Sequence, residues 1–219
     1  MELTRSYERV FDSQLRQRYD FLETRNAAAL LQAIAPDEFA EVVSVLSRFE
    51  LLASDLTQPG GNKSQLASRL DLEFREMGWR EGRHDLRITS TVRLMPYSAA
   101  SERTPIETLH EGVSVGYKVD NLKGRVAVDV EWNAKDGNLD RDLGAYRTLY
   151  DEALLDGAVI ITRSTDDLRA LASQLGADAK KLGTTTTTNI VKLRDRLARG
   201  AAGGCPVLAV AITARCFEA

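Results

Sequence analysis

Histidine and cysteine are scarce in this chain of 219 residues, with two of each: His84, His110, Cys205 and Cys216. So few imidazoles exclude zinc sites and nuclease chemistries that need several histidines. Two cysteines make no disulfide framework and predict a reducing, cytoplasmic setting. Cys205 stands just before the apolar run Pro206 to Ile212 and reads as a packed thiol rather than a nucleophile. No apolar run approaches the length of a membrane span, and the start, Met-Glu-Leu-Thr-Arg-Ser, lacks the apolar core of a secretory signal. No internal repeat is visible. Charge of one sign is lacking too, since the net is only −3.

The distribution of charge says more than its sum. Residues 63–93 carry seven Lys or Arg against five acids, and residues 190–199 carry four against Asp195 alone. Residues 129–156 carry eight acids against three bases. Basic flanks around an acidic centre suit a metal site that grips a polyanion. They equally suit solvated helix faces.

The acidic centre holds the most informative stretch. Val126-Ala-Val-Asp129-Val-Glu131-Trp132 is β-branched and apolar and predicts a strand. Strand side chains alternate, so Ala127, Asp129 and Glu131 share one face, with Val126, Val128, Val130 and Trp132 on the other. Two carboxylates side by side on a core strand repel each other and lose hydration. A divalent cation relieves both costs. A turn at Lys123-Gly124 fits a hairpin that returns Asp120 towards Asp129 as a third oxygen ligand. An exposed Asp-x-Glu face with no metal is the plainer alternative.

Elsewhere, helices are expected from Asn26 to about Ile34, from an Asp37 cap through Leu46, and from a Ser64 cap to about Gly78. Phe49 to Ala53 reads as a short strand, Leu86 to Val92 as a strand, and Ser98 to Thr108 as a polar loop. Leu139, Leu143, Tyr146, Tyr150 and Ala153 fall at helical spacing. Ala158 to Thr162 is a buried strand, Asp166 to Leu175 a helix, Leu193 and Leu197 a short helix, and Pro206 to Ile212 a last strand. Strand, helix, strand in this order predicts a βαβ unit in a partly parallel sheet. The expected architecture is one α/β (α+β) domain over residues 1–219 with an N-terminal helical elaboration.

Several stretches together resemble the BglII/BstYI group of type II restriction endonucleases, which have the PD-(D/E)XK nuclease fold. They are Val119-Asp120, Arg125 to Asp136, Asp140-Arg-Asp-Leu143, Ser54-Asp-Leu56 with Pro59 to Ser64, Gly78-Trp79, Val159 to Arg163, the Thr184–Thr188 run and Gly203-Gly-Cys-Pro-Val-Leu208. The resemblance runs from about residue 18 to residue 213. It implies a mixed β-sheet flanked by helices, and Mg²⁺-dependent hydrolysis of double-stranded DNA by a homodimer. It also implies a restriction–modification system with a cognate DNA methyltransferase. It carries over Asp120 and Asp129 as metal ligands. Glu131 stands where most of the superfamily has Lys and BglII-like enzymes have Gln, and it is expected to bind or orient the attacking water. Lys135, four residues on, is a possible source of the missing positive charge.

For DNA contacts the expected residues are Asn62, Lys63 and Ser64 at a helix N-terminus, Asn133 and Lys135 past the acidic strand, and Thr185, Thr186 and Thr187. The helix from Asp140 to Asp156 is a candidate to pack across a two-fold axis, or only on its own sheet. The competing readings are a repair or structure-specific nuclease of the same fold, and an inert DNA-binding module.

Overall fold

Strands β6 (Val126–Val130), β7 (Gly157–Arg163) and β8 (Val207–Ile212) are buried at every residue. Nearly continuous apolar runs of this kind belong to parallel strands covered on both faces. In the computed structural model, which describes residues 2–57, 64–179, 182 and 186–218, they form the middle of a six-stranded sheet. β6 pairs parallel with β7, and β7 with β8. β1 (Tyr19–Glu23) adds antiparallel to β8, from Tyr19 opposite Ile212 to Glu23 opposite Leu208. On the other side, β5 (Lys118–Lys123) pairs antiparallel with β6, and β2 (Arg80–Arg83) forms the edge.

Helices cover both faces. One face packs α3 (Ala27–Ile34), α4 (Pro36–Arg48), α6 (Gln65–Glu76) and α8 (Asp166–Gln174) against Val126, Val128, Val130 and Trp132. The other packs α7 (Gly137–Asp151) and α9 (Ile190–Ala198) through Leu139, Leu143, Tyr146, Leu193 and Leu197 against Ala127, Ala158 and Ile160. The alternation expected along residues 126–132 is therefore the division between the two cores. The βαβ unit is β6–α7–β7, and the inner face of α7 packs on its own sheet. Short helices α1 (Tyr7–Val10) and α2 (Ser13–Arg18) precede β1, and α5 (Ala53–Thr57) follows α4.

Local signals behave as their chemistry requires. Ser64 caps α6, its side chain accepting from the Ala67 N–H at 3.1 Å. Asn189 caps α9 in the same way. The β5–β6 turn is Gly124-Arg125, one residue later than expected, and Gly124 has φ +54°, which glycine adopts at least cost.

Three expectations need correction. Asp37 does not cap α4: Pro36 takes a first-turn position, where its missing N–H costs nothing, and the preceding Ala35 has no capping side chain. The stretch Phe49 to Ala53 is not a strand. Leu51 makes a single bridge to Phe217, and a helical turn begins at Ala53. The loop expected over residues 98–108 gives way at Ile106 to a strand that continues to Ser114.

Residues 83–117 form a compact unit of their own, distinct from residues 1–82 and 118–219. It is an antiparallel ribbon of β3 (Leu86–Leu94) and β4 (Ile106–Ser114). Opposed residues share a face. One face thus carries Leu86, Ile88, Val92, Leu94 and Ile106, while the other carries the Arg93–Glu107 ion pair at 2.7 Å. Ile88, Val92, Leu94 and Ile106 are all exposed.

Candidate active site

The β5–β6 hairpin sets Asn121 opposite Val128, which places Asp120 beside Asp129. The Asp120 N–H donates to Asp129 Oδ1 at 2.7 Å, and the Tyr146 hydroxyl on α7 donates to Asp129 Oδ2. Beyond β6 the Glu131 backbone is fixed on three sides. Its N–H donates to the Ile161 carbonyl at 2.8 Å, and its carbonyl accepts from the hydroxyls of Thr162 and Thr188 at 3.0 and 2.9 Å. The Glu131 side chain thus leaves a rigid strand end, on the same sheet face as Asp129.

A fourth carboxyl completes the group. Asp142, on α7, is 1% exposed, and its Oδ1 accepts from Arg141 Nε and Nη2 at 3.1 and 3.0 Å. No role was expected for Asp142 or Tyr146, although Asp142 lay within a stretch that carried the resemblance. The signal was present: Asp142 and Tyr146 are four residues apart and fall in the apolar stripe of Leu139 and Leu143, where an unpaired acid is out of place.

The electrostatics of the cluster follow from burial. Burial pushes the Asp129 carboxyl up to about 8, with repulsion from Asp142 and Asp120 adding to it and the two hydrogen bonds opposing it. Burial and the nearby Asp142 push Glu131 up to about 9. Burial also raises Asp142, although Arg141 opposes the rise. Asp142 is thus one of the causes that drive Glu131 up. Desolvation and like charge together favour the neutral forms of Asp129 and Glu131 in the absence of a counter-charge.

Asp120 and Glu131 open on a cleft of about 500 Å³. Asp71, Arg141, Asn133, Lys135, Asn138 and Ser64 also line it. Asp71 is itself held by Asn121 Nδ2 at 2.8 Å. A second hollow, of about 320 Å³ between α4 and α6, is lined by paired charges such as Arg48 with Glu73 and holds no comparable chemistry.

The donor set fits a hard divalent cation in its chemistry. All the donors are oxygen, the acids are short of positive charge, and the buried Glu131 Oε2 and Asp142 Oδ2 have no hydrogen-bond partner among the described residues. The side chains do not converge into a finished ligand set, however. Among the described residues, no three His, Cys, Asp or Glu groups are placed to hold one ion. Both Asp129 oxygens are engaged by protein donors, so it is Asp120 and Glu131 that face the cleft. Each carboxylate oxygen has a second lone pair, which leaves Asp129 able to ligate without giving up those bonds.

The residues expected to touch DNA divide into three groups. Ser64, Asn133 and Lys135 line the cleft. Lys135 bridges to Thr187, and the Asp136 N–H donates to the Thr186 carbonyl at 2.7 Å, so Thr186 and Thr187 lie along the chain that leaves β6. Asn62, Lys63 and Thr185 lie outside the described residues. The basic 190–199 segment is partly consumed within the protein, since Arg196 forms a two-pronged pair with Asp140 at 2.7 and 2.9 Å. Cys205 is a packed thiol, as expected, raised to about 12 by burial.

The family model described as restriction endonuclease BglII/BglIII matches residues 19–212. No curated protein matches the chain. The chain belongs to that family, and it is a DNA-cleaving nuclease with the mixed sheet and flanking helices expected of one.

Proposed function

We propose that this restriction endonuclease of the BglII/BglIII family is a type II enzyme. It hydrolyses both strands of duplex DNA at a short palindromic site and depends on Mg²⁺ held by Asp120, Asp129 and Glu131. One observation carries the reading: three buried carboxyls, Asp129, Glu131 and Asp142, are raised together at the end of β6, with Arg141 their close cation, beside a cleft that Asp120 and Glu131 line.

When bound, a divalent ion would ionise these carboxyls, acidify a coordinated water and offset charge on the phosphate. The protein's own part is positional. Tyr146 and the Asp120 N–H fix the Asp129 carboxylate, and three backbone bonds fix the root of Glu131. Glu131 would bind or orient the attacking water. Arg141 faces the cleft from α7 and favours an anionic substrate there.

Ser64, Asn133, Lys135, Thr186 and Thr187 are the proposed DNA contacts, with Asn62, Lys63 and Thr185 beside them in sequence. Phosphate contacts would set the register of the duplex and base-edge contacts the sequence. A C₂ homodimer would present two such sites to the two strands of a palindrome. A cognate methyltransferase and a cytoplasmic setting complete the proposal, which treats the chain as one nuclease domain.

Plasmid digestion with Mg²⁺ and with EDTA tests this reading. Discrete fragments with Mg²⁺ and none with EDTA are expected. A smear supports a structure-specific or non-specific nuclease, and cutting in EDTA removes the metal from the proposal.

A further inference from the structure

Arg163 ends β7 and is fully buried, yet among the described residues its guanidinium has no carboxylate partner. Its charge lies over the Trp132 ring, 5.5 Å from the centroid. Nη1 donates to Asn133 Oδ1 at 2.9 Å, while Nε and Nη2 have no hydrogen-bond partner among the described residues. A buried cation so poorly compensated costs stability, and a core built for stability alone would carry an apolar side chain here.

The pairing fixes the polarity of an exposed amide. A guanidinium only donates, so it must face the oxygen of Asn133, and the Asn133 NH₂ is turned away from it. Asn133 lines the cleft two residues beyond Glu131. We propose that Arg163 is a positioning residue that holds Asn133 as a hydrogen-bond donor towards an acceptor on bound DNA. The inference rests on the DNA-cleaving reading above and adds a direction to it. An asparagine that reads adenine with two bonds needs both its oxygen and its nitrogen. Arg163 takes one of the two lone pairs of Oδ1, so the NH₂ is the group held free for DNA, and its partner is an acceptor: a base-edge N7, O6 or O4, or a phosphate oxygen.

The test uses the full chain with Asn133→Ala, Arg163→Met and the double variant. Thermal unfolding is measured, and metal-free binding to the cleaved duplex and to duplexes changed by one base pair. Arg163→Met is expected to unfold no earlier than the wild type, because an apolar side chain replaces an uncompensated charge. Each single variant is expected to lose about tenfold or more in affinity, and the double variant to lose no more than Asn133→Ala. Loss of discrimination at one base-pair position assigns the acceptor to a base edge. Equal loss on every sequence assigns it to a phosphate. Variants that bind like the wild type overturn the inference alone, as does an Arg163→Met protein that unfolds several degrees earlier or adds its loss to that of Asn133→Ala. A wild type that binds no duplex DNA overturns the DNA reading and this inference with it.

Discussion

Across the β5–β6 hairpin the backbone N–H of Asp120 donates to the carboxylate of Asp129 at 2.7 Å. A main-chain group of one candidate ligand therefore orients the side chain of the other. Asp120→Ala leaves that bond in place, whereas Asp129→Ala removes it. Both are expected to lower the cleavage rate by about a hundredfold or more, the scale for losing one preorganised electrostatic contributor. Asp120→Ala is expected to keep the wild-type unfolding temperature. Rates on a cleavable duplex and thermal scans separate the two effects, and retained cutting by both variants refutes the metal assignment.

The raised carboxyls give stability a pH dependence of definite sign. Asp129 and Glu131 rise from 3.8 and 4.5 to about 8 and 9 in the folded chain. The folded protein therefore keeps protons that the unfolded chain releases. Metal-free stability should be fullest near pH 4 as far as these groups are concerned, and should fall as pH rises to about 9, by on the order of a few kcal/mol. Denaturant unfolding in EDTA at pH 5, 7 and 9 measures the slope. Glu131→Gln should flatten it, and an unchanged slope in that variant would count against the assignment.

Tyr146 holds Asp129 from α7. Tyr146→Phe leaves a buried carboxyl without that donor, so it should cost about 1–3 kcal/mol of stability. The Asp129 carboxyl should rise further, and the alkaline limb of the stability profile should steepen. Urea unfolding of the metal-free protein at pH 8 checks the magnitude. A neutral result would mean that Asp129 turns to another donor.

Gly124 closes the hairpin with φ +54°, and a Cβ there would stand 2.7 Å from Glu38 Oε1. Glu38 is the far end of a flexible side chain and can move, but the backbone conformation cannot change without shifting the β5–β6 register. Gly124→Ala is expected to cost about 1–2 kcal/mol. It should also slow cleavage, because the same turn sets Asp120 beside Asp129. Unfolding and rate measured together decide; a stability loss with full activity would show that the site tolerates a shifted turn.

What could be read from residues alone tracks how local the causes are. The alternation of residues 126–132 became the division between two cores because a strand has period two, whatever surrounds it. The hairpin and the helix of Leu139, Leu143 and Tyr146 were legible for similar reasons. Asp142 was legible only as an acid in an apolar stripe, since its meaning depends on α7 lying across β6. Arg163 fell just past the expected strand Ala158 to Thr162, and only the fold shows it sealed over Trp132 with no carboxylate partner among the described residues. β4 escaped because His110-Glu-Gly112 breaks its apolar pattern, and the ribbon it forms with β3 leaves most of its side chains in solvent.

One further consequence lies in the pairing of β1 with β8. Residues near 20 wait for residues near 210 before either strand has its full set of neighbours. A ribosome adding about 5–20 residues per second leaves β7 with an open edge until β8 emerges. A chain halted at Gly204 should therefore stay largely unfolded by circular dichroism and cut nothing. Synthesis of a DNA-cutting protein thus carries its own delay: an incomplete copy cannot close the sheet on which its acids are mounted.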